Sequence, residues 1–393
     1  MTNGKRRCLA LTLMAGMMFL SSIFSLQGIL LTSIISHYSL TDSAQGLASS
    51  AASFGGVIAL FSSIFLIGKL PKLTLIRIAF FVCFAFLALL SVLPHFALFI
   101  ALWLMLGIGM GYVDMLLSSC MADLYKGRQA TKMMCLLHML YGVSSMICPV
   151  IFSRLMNNGL RWNHVYLIVS AAGLALLLFS IFAVRFAYGS HLKETAMENR
   201  MSFRDMFSVV KKGALPGLII AMLCHGFFLG GLNTWITRYI SVNLSSGIGD
   251  MALSFLFTGV MISRLVMPFS KLDPKKYVRI AGFLAGTSVL LALPFHSGVV
   301  MSIAVFFCGV MFGAMIPCML DIGCASTPES TMLATTLMML ALYLSQAIVS
   351  PIIGAIESAA GLDFGIVLLA VFMLLTSVCL IKTRMNGDKT KSM

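Results

Sequence analysis

The stretch "ALFIALWLMLGIGMGYVDMLLSSCM", residues 97–121, decides the fold. A helix that crosses a bilayer needs about 20 mostly apolar residues, and this run supplies them with one charge, Asp114. Gly107, Gly111, Asp114 and Ser118 are spaced i, i+4, i+7 and i+11, so they share one helix face. A carboxylate at the bilayer centre costs about 2.5–3.5 kcal/mol on insertion scales. Its presence therefore predicts a cavity or a close partner helix on that face. Such a group can load and release a proton as its surroundings alternate between wet and dry; the alternative is a structural carboxylate paired to a neighbouring helix.

The rest of the chain reads the same way. Of 393 residues, 60% are hydrophobic and 10% charged, against roughly 25% charged in soluble domains. That composition predicts an all-α membrane protein. Twelve spans are expected, near 9–35, 44–68, 74–93, 97–121, 131–154, 164–187, 216–240, 250–270, 277–295, 298–320, 331–354 and 362–382. The polar stretch 188–215 divides them into an N-terminal six-helix bundle, 1–187, and a C-terminal one, 216–393. This cytoplasmic linker is expected to hold a short amphipathic helix at the membrane surface. The basic, apolar opening "MTNGKRRCLALTLMAGMMFL" runs on to about Ile35 without a clear small-residue cleavage site, so it reads as a retained first span.

Orientation follows from the basic residues. With both termini in the cytoplasm, 23 of the 27 Lys and Arg residues lie on the cytoplasmic side. Arg154, Arg161 and Arg238 lie opposite, and Arg264 falls inside the eighth span. The net charge of +14 is thus explained by anionic headgroups of the inner membrane, and no nucleic acid is expected. The ten cysteines form no CxxC pair and the 30 methionines are scattered, so both read as apolar filler. Neither a metal-spaced cluster nor a cofactor motif is present. "GIGMG" follows no strand, and Walker, HExxH and GxSxG sequences are missing, which argues against an enzyme or an ATP-driven pump.

The interiors of spans 3, 6, 9 and 12, away from their first two residues, carry no Asp, Glu, His, Asn or Gln; this period of three suggests three-helix repeats with one lipid-facing helix each. The remaining spans supply the candidate site residues. Asp114 and His138 are candidates for proton coupling, His138 either relaying a proton or donating to solute. Gln27, His225, Asn233, Trp235, Arg264, Tyr343 and Gln346 are candidates for solute binding. Asn233 offers two donors and an acceptor, and Trp235 a flat face for a sugar ring. Arg264 cannot shed its charge, so it must find a partner, a watery cavity or the interface. A satisfied structural role is the alternative for each histidine.

The run "GMGYVDMLLSSCMADLYKGRQATKMMCLLHMLYGVSSMICP", residues 109–149, resembles the major facilitator superfamily, and within it the fucose permease-like group of sugar–proton symporters. Asp114 falls at the acid position that the group associates with proton coupling; His138, Gly142 and Pro149 match its fifth-helix pattern. "GLNTWITRYI" (231–240), "LRWNHVY" (160–166) and Arg264 are similar to further segments of the group. Ser118 stands where the group often has Asn. In "GKLPKLTLIR" (68–77), Lys72 replaces the aspartate and Leu75 the glycine of the superfamily's "GxxxDRxGRR" loop. The resemblance implies a monomeric inner-membrane carrier embedded in the lipid bilayer. It would rock around a midplane site and take up a small polar solute, such as a sugar, with protons. A drug/proton antiporter on the same fold is the alternative; the fifth span lacks the glycine series expected of one.

Overall fold

The computed structural model describes residues 3–40, 42–66, 69–92, 94–188, 203–211 and 213–383. All of the regular structure among them is helical. The first half contains α1 (Asn3–Tyr38), α2 (Asp42–Ser63), α3 (Lys72–Leu90), α4 (Phe96–Leu124), α5 (Arg128–Asn157) and α6 (His164–Tyr188). A short helix, α7 (Phe203–Val210), lies in the polar linker; residues 189–202 of that linker lie outside the described residues. The second half contains α8 (Leu215–Arg238), α9 (Ala252–Val266), α10 (Pro274–Ala292), α11 (Gly298–Phe312), α12 (Met315–Ser326), α13 (Thr331–Ala360) and α14 (Leu362–Lys382).

Eleven segments among the described residues are long and apolar enough to cross a membrane, and α2 adds a shorter apolar part over 51–66. Large apolar side chains such as Leu11, Phe81, Phe182, Leu291 and Phe364 stand exposed on them. In water such surfaces would aggregate; in hydrocarbon they cost nothing. All ten cysteines are free thiols.

The chain forms two compact units. Unit 1 comprises residues 1–125 and 137–201; unit 2 comprises 126–136 and 202–393, so the first turns of α5 pack with the second half. In unit 1, α2 lies along α4 at glycine-limited distance. A Cβ on Gly55 would sit 2.1 Å from the Leu104 carbonyl oxygen, and one on Gly107 2.1 Å from that of Ala52. In unit 2, α9 lies along α11 in the same manner. A Cβ on Gly259 would sit 2.3 Å from the Phe306 oxygen, and one on Gly309 2.3 Å from the Leu256 oxygen.

The tenth span differs from its expected form. It is two helices, α11 and α12, separated by a turn at Gly313–Ala314. Pro317 has no N–H to return to the Gly313 carbonyl. Arg264 Nε donates to that orphaned oxygen at 2.9 Å. The Tyr277 hydroxyl donates to the Met311 carbonyl at 2.6 Å, while Ser263 Oγ and Tyr277 Oη each accept from the Ala314 N–H at 3.2 Å. Side chains thus replace the helical bonds that the turn gives up, which is how broken helices persist away from water. The eleventh span runs six residues beyond its apolar limit, to Ala360, and stops at Gly361, whose φ of 86° leaves the helix.

Candidate functional site

In unit 1, Asp114 lies half-buried on α4 between Val113 and Met115, which are fully buried. The glycines of its face are used for packing: a Cβ on Gly111 would meet Gly56 and Ala59 of α2 at 2.8–3.0 Å. One turn beyond Asp114, the buried Ser118 faces the buried His138, with Oγ and Nε2 3.4 Å apart. Asp114 and His138 are therefore one helical turn apart through Ser118. One turn further along α5, a Cβ on Gly142 would meet nothing within 4 Å, so that face of α5 borders open space. Gln27 falls on α1, but its side chain lies outside the described residues.

Sequence reasoning passed over a seam of hydroxyls between α1 and α5. Ser21 Oγ donates to the Tyr141 carbonyl and meets Ser145 Oγ, both at 2.7 Å. Ser144 Oγ donates to the Met18 carbonyl at 2.8 Å and lies 3.1 Å from Ser22 Oγ. The signal was a Ser-Ser pair in each span. The altered loop also has a clear outcome: Lys72, its side chain 6% exposed, forms an ion pair at 2.7 Å with Asp123 at the end of α4.

In unit 2, α8 carries His225, Asn233 and Trp235. His225 is fully buried, with its ring 5.4 Å from Phe312 in an edge-on contact. Phe312 and Gly313 flank the break in the tenth span, so His225 and Arg264 both reach that break. Both His225 ring nitrogens, Asn233 Oδ1 and Trp235 Nε1 are buried without a hydrogen-bond partner. Each such group costs about 1–3 kcal/mol and calls for a specific explanation, such as a ligand or a water. Asn233 and Trp235 lie about 12–15 Å further along α8 than His225, at 1.5 Å per residue.

Those two residues share their level with α13. A Cβ on Gly230 would lie 3.0 Å from Gln346, and one on Gly354 3.4 Å from the Trp235 ring. Tyr343 is half-buried, one turn before Gln346. The second unit thus holds two polar groups: Arg264 with His225 at the helix break, and Asn233, Trp235 and Gln346 where α8 crosses α13. No group of three His, Cys, Asp or Glu suited to a metal occurs among the described residues.

Comparison with known proteins agrees with this architecture. A "Protein TsgA homolog" from Enterobacter sp. (strain 638) is 22% identical over 277 residues, covering 69% of this chain and 67% of that protein. The E. coli fucose:proton symporter FucP superposes with a TM-score of 0.78 at 16% identity, over 94% of this chain and 97% of its own. The proton:xylose symporter XylE, bound to 6-bromo-6-deoxy-D-glucose, gives 0.77 at 12% identity over 97% and 96%. The human organic anion transporter MFSD10 gives 0.78 at 13% identity over 95% and 99%. At these identities the structures establish the fold. Residues 11–350 match the family described as Major Facilitator Superfamily, and the chain therefore belongs to that superfamily: it is a multi-pass membrane transporter and not an enzyme.

Proposed function

We propose that the chain is a secondary active transporter that imports a small polar solute, a sugar or a related hydroxylated compound, together with a proton. Residues 1–187 and 216–393 act as its two bundles, joined by 188–215. It works as a monomer in the inner membrane, with both termini in the cytoplasm. The observation that carries this reading is the set of unpartnered polar atoms on α8, Asn233 Oδ1 and Trp235 Nε1 above all. A hydroxylated ring supplies a donor for the first, an acceptor for the second and an apolar face for the indole. Gln346 and Tyr343 complete that subsite from α13, and Gln27 is a separate candidate for solute contact on α1. His225 and Arg264 respond to solute through the helix break.

Asp114 carries the proton, and His138 relays it through the turn that holds Ser118. Two of the similar structures are titled proton symporters of sugars, which supports the same substrate class here. The test is uptake of labelled sugars into proteoliposomes under an imposed pH gradient. Wild type concentrates its solute; Asp114→Asn equilibrates it without concentrating it. Accumulation by Asp114→Asn equal to that of wild type removes Asp114 from the coupling role. External pH separates the efflux alternative: symport makes the outside more alkaline on solute addition, and antiport makes it more acidic.

A further inference from the structure

We propose that a pocket at the turn between α9 and α10 holds the phosphate of an anionic phospholipid. The pocket encloses about 460 Å³ within unit 2, and its lining includes Arg128, Lys132, Lys271, Lys275, Asp273 and Asp321. Two of the cations are fixed in place without being neutralised. The Arg128 guanidinium donates to the Ser270 carbonyl, and the Lys132 ammonium sits 4.7 Å over the Phe269 ring. Both partners are uncharged, so the positive field survives. The acids are engaged by uncharged donors, Asp321 part-buried and Asp273 at the exposed rim. Asp321 accepts from Thr131, and Asp273 caps α10 by accepting from the Lys275 N–H at 3.1 Å. The N-termini of α5 and α10 both open onto this space and add their positive dipole ends.

Depth selects the source of the phosphate. The helices α5 and α10, and α9 with its extension to Phe269, are all of spanning length, and their ends meet at this pocket, so it lies at the membrane surface. Phe269 and Leu272 stand 65% and 60% exposed beside the cations. A soluble phosphate compound has no use for that apolar rim, whereas acyl chains cover it. All four cations belong to the basic face read from the sequence, where anionic headgroups concentrate and each Lys or Arg contributes about 1 kcal/mol of attraction.

The test is native mass spectrometry of the full chain in detergent, titrated with phosphatidylglycerol, phosphatidylcholine or glycerol 3-phosphate. The expected result is one saturable phosphatidylglycerol adduct. It weakens about thirtyfold in Lys132→Gln/Lys271→Gln and is unchanged in Lys211→Gln/Lys276→Gln, two positions outside the pocket lining. A readout on wild type needs no variant: phosphatidylglycerol should protect Lys132 and Lys271, but not Lys276, from acylation. Equal weakening in both double variants, equal binding of phosphatidylcholine, or no selective protection overturns the proposal. Displacement of the lipid by glycerol 3-phosphate that binds as tightly on its own also overturns it, in favour of a soluble phosphate.

Discussion

The α2–α4 pair of unit 1 and the α9–α11 pair of unit 2 are built on one plan and finished differently. Gly55, Gly107 and Gly111 have counterparts in Gly259, Gly309 and Gly313, and in each pair the same kind of backbone contact demands them. The last two glycines are four residues apart in both units. Beyond the third glycine the plans part. Three residues after Gly111 comes Asp114, inside an unbroken helix. Three residues after Gly313 comes Ile316, then Pro317, and the helix is interrupted. One pair therefore presents a carboxylate, and the other presents a broken backbone held by the guanidinium of Arg264. The same kind of glycine contact thus carries a carboxylate in one unit and a broken backbone with a guanidinium donor in the other.

The shared part of the plan is where substitution should hurt most. Gly107→Ala and Gly309→Ala each drive a methyl group into a carbonyl oxygen on the partner helix. Overpacking costs about 1–3 kcal/mol where side chains can yield. Backbone cannot yield, so both variants should lose about 3 kcal/mol or more, or fail to fold, in thermal unfolding of the purified protein. Gly142→Ala is the control: its Cβ meets nothing, and it should be neutral or gain up to about 1 kcal/mol from helix propensity. If Gly107→Ala behaves like Gly142→Ala, close approach is not what the two pairs share.

The divergent part predicts an epistatic rescue. Arg264→Met leaves the Gly313 carbonyl buried and unpaired, at a cost of about 1–3 kcal/mol. Pro317→Ala restores an N–H at the position that a continuous helix uses for that carbonyl. The double variant should therefore recover about half of the loss or more, a coupling that a double-mutant cycle in denaturant reads directly. Additive losses would mean that Arg264 serves something other than the proline's vacancy. A smaller asymmetry is expected at the ion pair of unit 1. Asp123→Ala removes a charge partner of Lys72, which is 6% exposed, while Lys72→Met removes one from Asp123, which is 44% exposed. The first should cost about 1–2 kcal/mol and the second less.

The twelve spans were legible because hydrocarbon imposes a length and excludes charge, and every expected span has a helix within a few residues of it. The break at Gly313–Ala314 was not legible. Pro149 and Pro351 lie inside unbroken helices, so proline alone does not announce a break. What decides is whether Ser263, Arg264 and Tyr277 stand ready to take the released groups, and those residues come from two other helices. Of the candidate residues, Asn233 and Trp235 could be named from their chemistry, but only packing showed their polar atoms to be buried without partners. The serine seam between α1 and α5 was missed because hydroxyls satisfy a carbonyl of their own helix as readily as a neighbour's.

The smallest effect belongs to the acceptors at the break, and its internal order is informative. The Ala314 N–H has two acceptors, Ser263 Oγ and Tyr277 Oη, which lie 3.1 Å from each other. Ser263→Ala removes one and leaves the other, so unfolding should shift by less than about 0.5 kcal/mol, since no buried group is orphaned. Tyr277→Phe also strips the Met311 carbonyl of its donor, and a loss of about 1 kcal/mol is expected. Removing both hydroxyls orphans the N–H, and the double variant should lose more than the sum of the two. In unit 1 the corresponding stretch of α4 keeps its own helical bonds, so no hydroxyl there should show this behaviour. Ser62, whose Oγ lies 2.8 Å from Tyr112 Oη between α2 and α4, is the natural comparison: Ser62→Ala and Tyr112→Phe should combine to no more than their sum. A greater-than-additive loss in both units would mean that the two pairs differ less than the broken helix suggests.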